Sequence, residues 1–163
     1  MSHTAPEIAV TTPPTGSRFG IVCSRWNGEI TDRLLEGAIR ILVEAGVPEG
    51  DVTVVRVPGA FELPVMADHL AKSGRYAAMI CLGVVIQGDT DHDKYLNTSV
   101  AQALQTVALT TGRPVSFGLL TCRTQDQARE RAGGSAGHKG EEAALAAIEM
   151  VHLLHTLATG ETT

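Results

Sequence analysis

The chain has 163 residues and a formal charge of −5, with 44% of residues hydrophobic and 19% charged. That length suits one domain able to bury a core, and the composition is ordinary for a soluble globular protein. The acidic balance without a basic stripe argues against a nucleic-acid partner. The lack of an apolar run near the ~20 residues of a membrane span argues against a membrane.

The segment 1–17, MSHTAPEIAVTTPPTGS, is rich in Thr, Pro and Ser and has no basic stretch followed by an apolar one. It reads as a mobile arm rather than a signal peptide, which puts the chain in the cytoplasm. Cys23, Cys81 and Cys122 are odd in number and lack C-x-x-C spacing, as expected of reduced thiols. Each lies in or just after an apolar run, where a thiol behaves as a small buried hydrophobe.

Four apolar runs follow: RFGIVCS (18–24), DVTVVRV (51–57), AAMICLGVVI (77–86) and PVSFGLLT (114–121). The third is almost continuous, as in a strand covered on both faces. Between the first two, Leu34, Leu35, Ala38, Ile41, Leu42 and Ala45 share one helical face, and Gly46 and Pro48 end that helix. Leu63, Met66, Ala67 and Leu70 form the stripe of a second helix. Val100, Ala103, Leu104, Val107, Ala108 and Thr111 form that of a third, stopped by Gly112 and Pro114. A short helix is expected over about 124–132, and a last one from about Gly140 to Leu157, with Glu141 and Glu142 at its positive end.

Strands alternating with helices imply βαβ units and right-handed crossovers. The expected fold is a three-layer α/β/α sandwich on a four-stranded parallel, flavodoxin-like sheet in the order 2-1-3-4. It comprises one domain over 18–158 and a tail over 159–163.

Ligands of such sheets bind beyond the carboxyl ends of the strands, so the residues there are the candidates. Trp26, the only tryptophan, is either an aromatic cap on the core or a plate for stacking a heterocycle. Glu62 is either an acid complementing its helix dipole or a ligand-binding carboxylate. In GVVIQGDTDHDKY (83–95), Gly88 permits close backbone approach and the N–H groups of Asp89, Thr90 and Asp91 offer an anion cradle. The aspartates repel an anion there, so a cation is needed nearby and the carboxylates should turn onto backbone N–H groups as caps. A metal held by the Asp/His cluster is the competing reading, but no second histidine or cysteine stands at a ligand spacing, and His152-x-x-His155 lies on another helix. His92, lone and flanked by acids, is either structural or a proton carrier active near neutrality. Arg129 and Arg131 close the short helix, and a glycine-rich turn leads to Lys139. These suit a helix C-terminus, and an arginine also suits bidentate phosphate contact.

Taken together, SRWN, VPGAFELP, CLGVVIQGDTDHDKY, FGLLT and QARERAGGSAGHKGEEAALAAIEM resemble, in order and spacing from about Phe19 to Leu154, the 6,7-dimethyl-8-ribityllumazine synthases of riboflavin biosynthesis. The resemblance implies condensation of 5-amino-6-(D-ribitylamino)uracil with 3,4-dihydroxy-2-butanone 4-phosphate, releasing phosphate and water, with neither metal nor cofactor. It implies that Trp26 stacks on the pyrimidine, that Ala60, Phe61 and Glu62 line the ribityl and ring pocket, and that Val84, Val85 and Ile86 offer backbone contacts to the uracil. Phe117 would lie beside the ring, Asp89, Thr90, Arg131 and Lys139 at the phosphate-bearing substrate, and His92 at the proton transfers.

Family members form pentamers whose sites are shared between neighbours, and some close into 60-subunit shells. The absence of an insertion between the Arg131 helix and the last helix resembles the shell formers. Three departures stand out: Gln87 replaces a usual arginine, Asp-His-Asp-Lys-Tyr replaces Pro-His-Phe-Asp-Tyr, and Gly-Gly-Ser-Ala-Gly-His replaces Gly-Thr-Lys-Ala-Gly-Asn. They bear on substrate affinity, and leave a non-catalytic flavin- or lumazine-binding shell protein of the same fold as the alternative.

Overall fold

A computed structural model describes residues 11–160. Most of the expected arm (1–10) and of the tail (161–163) lies outside the described residues. Four strands, β1 (Phe19–Ser24), β2 (Val52–Val57), β3 (Ala78–Ile86) and β4 (Val115–Cys122), form one parallel sheet in the order β2-β1-β3-β4. This is the flavodoxin-like order expected from the alternating pattern.

The strands distribute their side chains to two cores because successive residues point to opposite faces. Phe19, Ile21 and Cys23 of β1 and Ile80, Leu82 and Val84 of β3 pack with Leu34, Ala38 and Leu42 of α1 (Gly28–Glu44) and Ala144, Ala147 and Ile148 of α5 (Lys139–Thr159). On the other face, Val22, Met79 and Cys81 meet Leu63, Ala67 and Leu70 of α2 (Leu63–Lys72) and Val100, Leu104 and Val107 of α3 (His92–Thr111). The core is aliphatic apart from Phe19 and Tyr76. Along β3 only Ile86 is less than fully buried, the double coverage that its unbroken apolar run demands.

The helix stops follow the local chemistry. Gly112 takes φ 65° after α3, and its N–H donates to Ala108 O. Gly46, at φ 91°, turns the chain after α1. The short helix α4 (Gln125–Glu130) is capped by Thr124, whose side chain accepts from the Gln127 N–H at 3.2 Å. It ends near the expected place.

Two features differ from expectation. The glycine-rich turn before α5 is a small antiparallel hairpin, β5 (Ala132–Gly134) with β6 (Gly137–His138). Asp91 precedes α3 but its side chain caps no backbone N–H; it pairs instead with Lys94 Nζ at 2.7 Å. An ammonium three residues on outcompetes the amides, so the acid stays on the surface.

Candidate active site

The first cavity opens at the carboxyl ends of β1, β2 and β3 and measures about 760 Å³. Trp26 and Asn27 follow β1. Their placement rests on Asn27, which adopts φ 57° and is the only non-glycine residue with positive φ among the described residues. Asparagine is among the few residues that tolerate this region. The turn leaves the indole 72% exposed over Gly59, where a Cβ would stand 3.7 Å from Trp26 Cδ1. The β1–β2 pairing runs on past the strands, with the Arg25 N–H donating to Val57 O at 2.8 Å and the Trp26 N–H to Pro58 O at 3.3 Å. The loop is thereby anchored.

Ala60, Phe61 and Glu62 form a 3-10 turn leading into α2 and line the same cavity. Glu62 Oε2 accepts from the Gly59 N–H at 2.7 Å. The carboxylate thus serves the turn, while the cavity still has its edge. Phe61 is 67% exposed, so two large aromatics face the same opening. Val84, Val85 and Ile86 supply the floor, and Gly88, Thr90 and His92 the wall at the start of α3. Asp89 is exposed on that turn between two lining residues and does not itself line the cavity.

Gln125, in the first turn of α4, also reaches this cavity. An amide in a helix's first turn carries no sequence signal, but its route is visible in the structure. Arg129 of α4 pairs with Glu29 of α1 at 3.2 Å, drawing α4 towards the end of α1 next to Trp26. That guanidinium holds the Glu29 carboxyl below its usual range.

Arg131 and Lys139 line a second cavity of about 970 Å³ around the tip of β4. Asp93 borders both cavities. Its Oδ1 and that of Asn97, one turn on, are shielded from solvent and have no hydrogen-bond partner. Lys139 pairs with Glu142 at 3.2 Å. Glu130 Oε2 accepts from the Ser135 hydroxyl at 2.6 Å and the Ser135 N–H at 2.8 Å, which holds the Glu130 carboxyl down. Cys122 also lines this cavity; burial pushes its thiol up and the Arg131 guanidinium acts against that. Phe117, half exposed on the edge strand β4, lines neither cavity.

One chain therefore brings Trp26, Ala60, Phe61, Glu62, Val84, Val85, Ile86, Thr90 and His92 together, and holds Arg131 and Lys139 in an adjoining space. Among the described residues, no three His, Cys, Asp or Glu side chains cluster as a metal ion requires, and no helix is long and apolar enough to cross a membrane.

Comparison with known proteins gives this geometry a context. The family profile described as 6,7-dimethyl-8-ribityllumazine synthase matches residues 16–155. The chain belongs to this family. Proteins named 6,7-dimethyl-8-ribityllumazine synthase from Xylella fastidiosa strains M12, M23 and Temecula1 are each 51% identical over 145 residues. Each alignment covers 89% of this chain and 92% of the relative. The matched span takes in every sheet strand and both cavities.

Proposed function

We infer that this chain condenses 5-amino-6-(D-ribitylamino)uracil with 3,4-dihydroxy-2-butanone 4-phosphate to give 6,7-dimethyl-8-ribityllumazine, phosphate and water. The observation carrying the reading is that the family match and an apolar, aromatic-rimmed cavity at the strand tips meet in the same segments. It is a transferase of riboflavin biosynthesis.

In this reading the pyrimidine lies against Trp26, with Phe61 over the opening and the backbone of Val84, Val85 and Ile86 along its edge. Stacking on an aromatic is worth ~1–3 kcal/mol. Ala60 and Glu62 line the ribityl chain. The 5-amino group attacks the butanone carbonyl and water leaves, giving an imine. Phosphate then departs, an enol forms, and the ring closes with loss of a second water. His92, on the cavity wall, moves protons between these steps, as an imidazole can near neutrality. Much of the acceleration comes from holding two reactants together, where effective molarity supplies ~7–11 kcal/mol.

The phosphate of the butanone substrate goes to Arg131 and Lys139, with Asp89 and Thr90 on the turn before α3. Since Arg131 and Lys139 line the adjoining cavity and Phe117 lines neither, the site is completed by a neighbouring copy, whose Phe117, Arg131 and Lys139 close the Trp26 cavity. A pentamer supplies such neighbours in a ring, and a 60-subunit shell is its further assembly. The 18–158 segment acts as one domain, and the three buried cysteines suit the reducing cytoplasm.

The test is to mix both substrates with purified protein and follow product fluorescence and phosphate release together. Equal release of phosphate and product supports the reading; binding of product without turnover supports the non-catalytic alternative. Site sharing is tested by co-assembling Trp26→Ala and Arg131→Ala chains at substrate concentrations too low for either variant alone to turn over measurably. Shared sites regain roughly a quarter of the activity by random pairing. Sites contained in one chain regain none.

A further inference from the structure

The cavity around the tip of β4 holds more positive charge than the reaction has yet been assigned. Three cations line it: Arg123, Arg131 and Lys139. Lys139 is committed to Glu142. Arg123 and Arg131 form no ion pair among the described residues, although carboxylates stand close by in the chain. Asp126, three residues from Arg123, pairs with Arg129 at 3.1 Å. Glu130 directs Oε2 to Ser135. Asp93 is the remaining acid on the lining, and its Oδ1 meets no donor at all.

Arg123 is also firmly seated. It follows β4 directly, and its N–H donates to Gln127 Oε1 at 2.9 Å. The rung before it, Ile86 with Cys122, is prolonged by the Gln87 N–H donating to Cys122 O at 2.8 Å. From this strand tip α4 runs to its C-cap residue, Arg131, and returns the chain to the same cavity. Two guanidiniums, each with five planar donors and neither matched to a carboxylate, thus share one polar space. A phosphate dianion, with oxygens on every side, accepts forked hydrogen bonds from two such groups at once.

We propose that Arg123 is a second phosphate-gripping residue, sharing with Arg131 the phosphate of the butanone substrate. The proposal rests on the synthase reading for the identity of the substrate. It does not depend on whether sites are shared, because both arginines occupy the same cavity of the same chain.

The test uses the assembled full-length protein, with inorganic phosphate as the direct probe by calorimetry and the two-substrate assay beside it. Arg123→Gln is expected to weaken phosphate binding and raise KM for the butanone phosphate roughly ten- to hundredfold, leaving KM for the pyrimidine within about twofold. Arg123→Lys, which keeps the charge and loses the fork, is expected to recover part of the loss. Unchanged phosphate affinity and unchanged KM in Arg123→Gln, with both weakened in Arg131→Gln, overturns the proposal. Arg123-dependent phosphate binding in a protein that makes no lumazine overturns the synthase reading, and with it the butanone phosphate as the ligand, and leaves only the phosphate grip of Arg123 standing.

Discussion

The imidazole of His138 lies flat against Gly37 of α1: a Cβ at position 37 would stand 2.2 Å from its Cε1 and 2.5 Å from its Nε2. The same histidine caps α5, Nδ1 accepting from the Glu141 N–H at 3.4 Å. Nearby, a Cβ on Gly140 would fall 2.0 Å from Leu34 O. Two glycines thus set how closely α1 and α5 approach, and the salt bridge from Arg40 to Glu141 closes the seam.

Gly37→Ala is expected to destabilise the protein by about 1–3 kcal/mol, the usual cost of forcing extra volume into a filled contact. Adding His138→Ala to it should cost less than the two single changes together, because the clash is gone. Urea unfolding of the three variants reads the coupling. Strict additivity would mean that the ring is not held there.

Trp26→Ala should raise KM for the pyrimidine roughly five- to hundredfold, matching a stacking contribution of ~1–3 kcal/mol. Trp26→Phe should restore much of it. KM for the butanone phosphate should move little in either variant, and steady-state kinetics with each substrate varied in turn checks both.

His92→Ala should slow turnover by about a hundredfold without abolishing it, since positioning of the substrates survives the loss of a proton carrier. Single-turnover kinetics at saturating substrate measures this. Complete loss with both substrates still bound would assign the histidine a larger part than proton transfer.

Thiol burial gives a pH prediction. Burial pushes Cys23 up to about 11 and Cys81 up to about 12, from an ordinary 9.0. Above about 9 the unfolded chain releases these protons while the folded chain keeps them. Stability from these groups is therefore intact below that pH and falls as pH rises through the folded values. Cys81→Ala should flatten part of that alkaline decline in denaturant midpoints. A thiol reagent at pH near 8 should leave Cys23 and Cys81 untouched in the folded protein and label all three thiols in urea.

The strands, their order and the helix faces could be read from the chain because burial imposes period and run length directly on residue type. Gly112 shows this well: its αL turn is a property of the residue itself. The hairpin from Ala132 to His138 was hidden, since segments so short, and built largely of glycine, carry no alternation. Glu62 was legible as a first-turn acid, but not as the acceptor for Gly59. Asp91 looked like a cap by position, and its partner Lys94 was settled by side-chain reach. The charge of Arg131 and Lys139 is plain in the chain, yet no spacing reveals that α4 and the hairpin carry them round the tip of β4 into a separate cavity. Gln125 lines the Trp26 cavity from a helix that Arg129 ties to Glu29, a contact between residues a hundred positions apart.

The position of β1 between β2 and β3 bears on how the chain is born. A nascent polypeptide offers β1 only one neighbour until β3 emerges from the ribosome, a wait of several seconds at typical translation rates. During that interval a strand that the finished fold buries along its whole length has one bare edge, open to any similar strand on a nearby polysome. Yield in the cell should therefore fall as expression is driven harder, and recover when translation is slowed or a chaperone shields that edge.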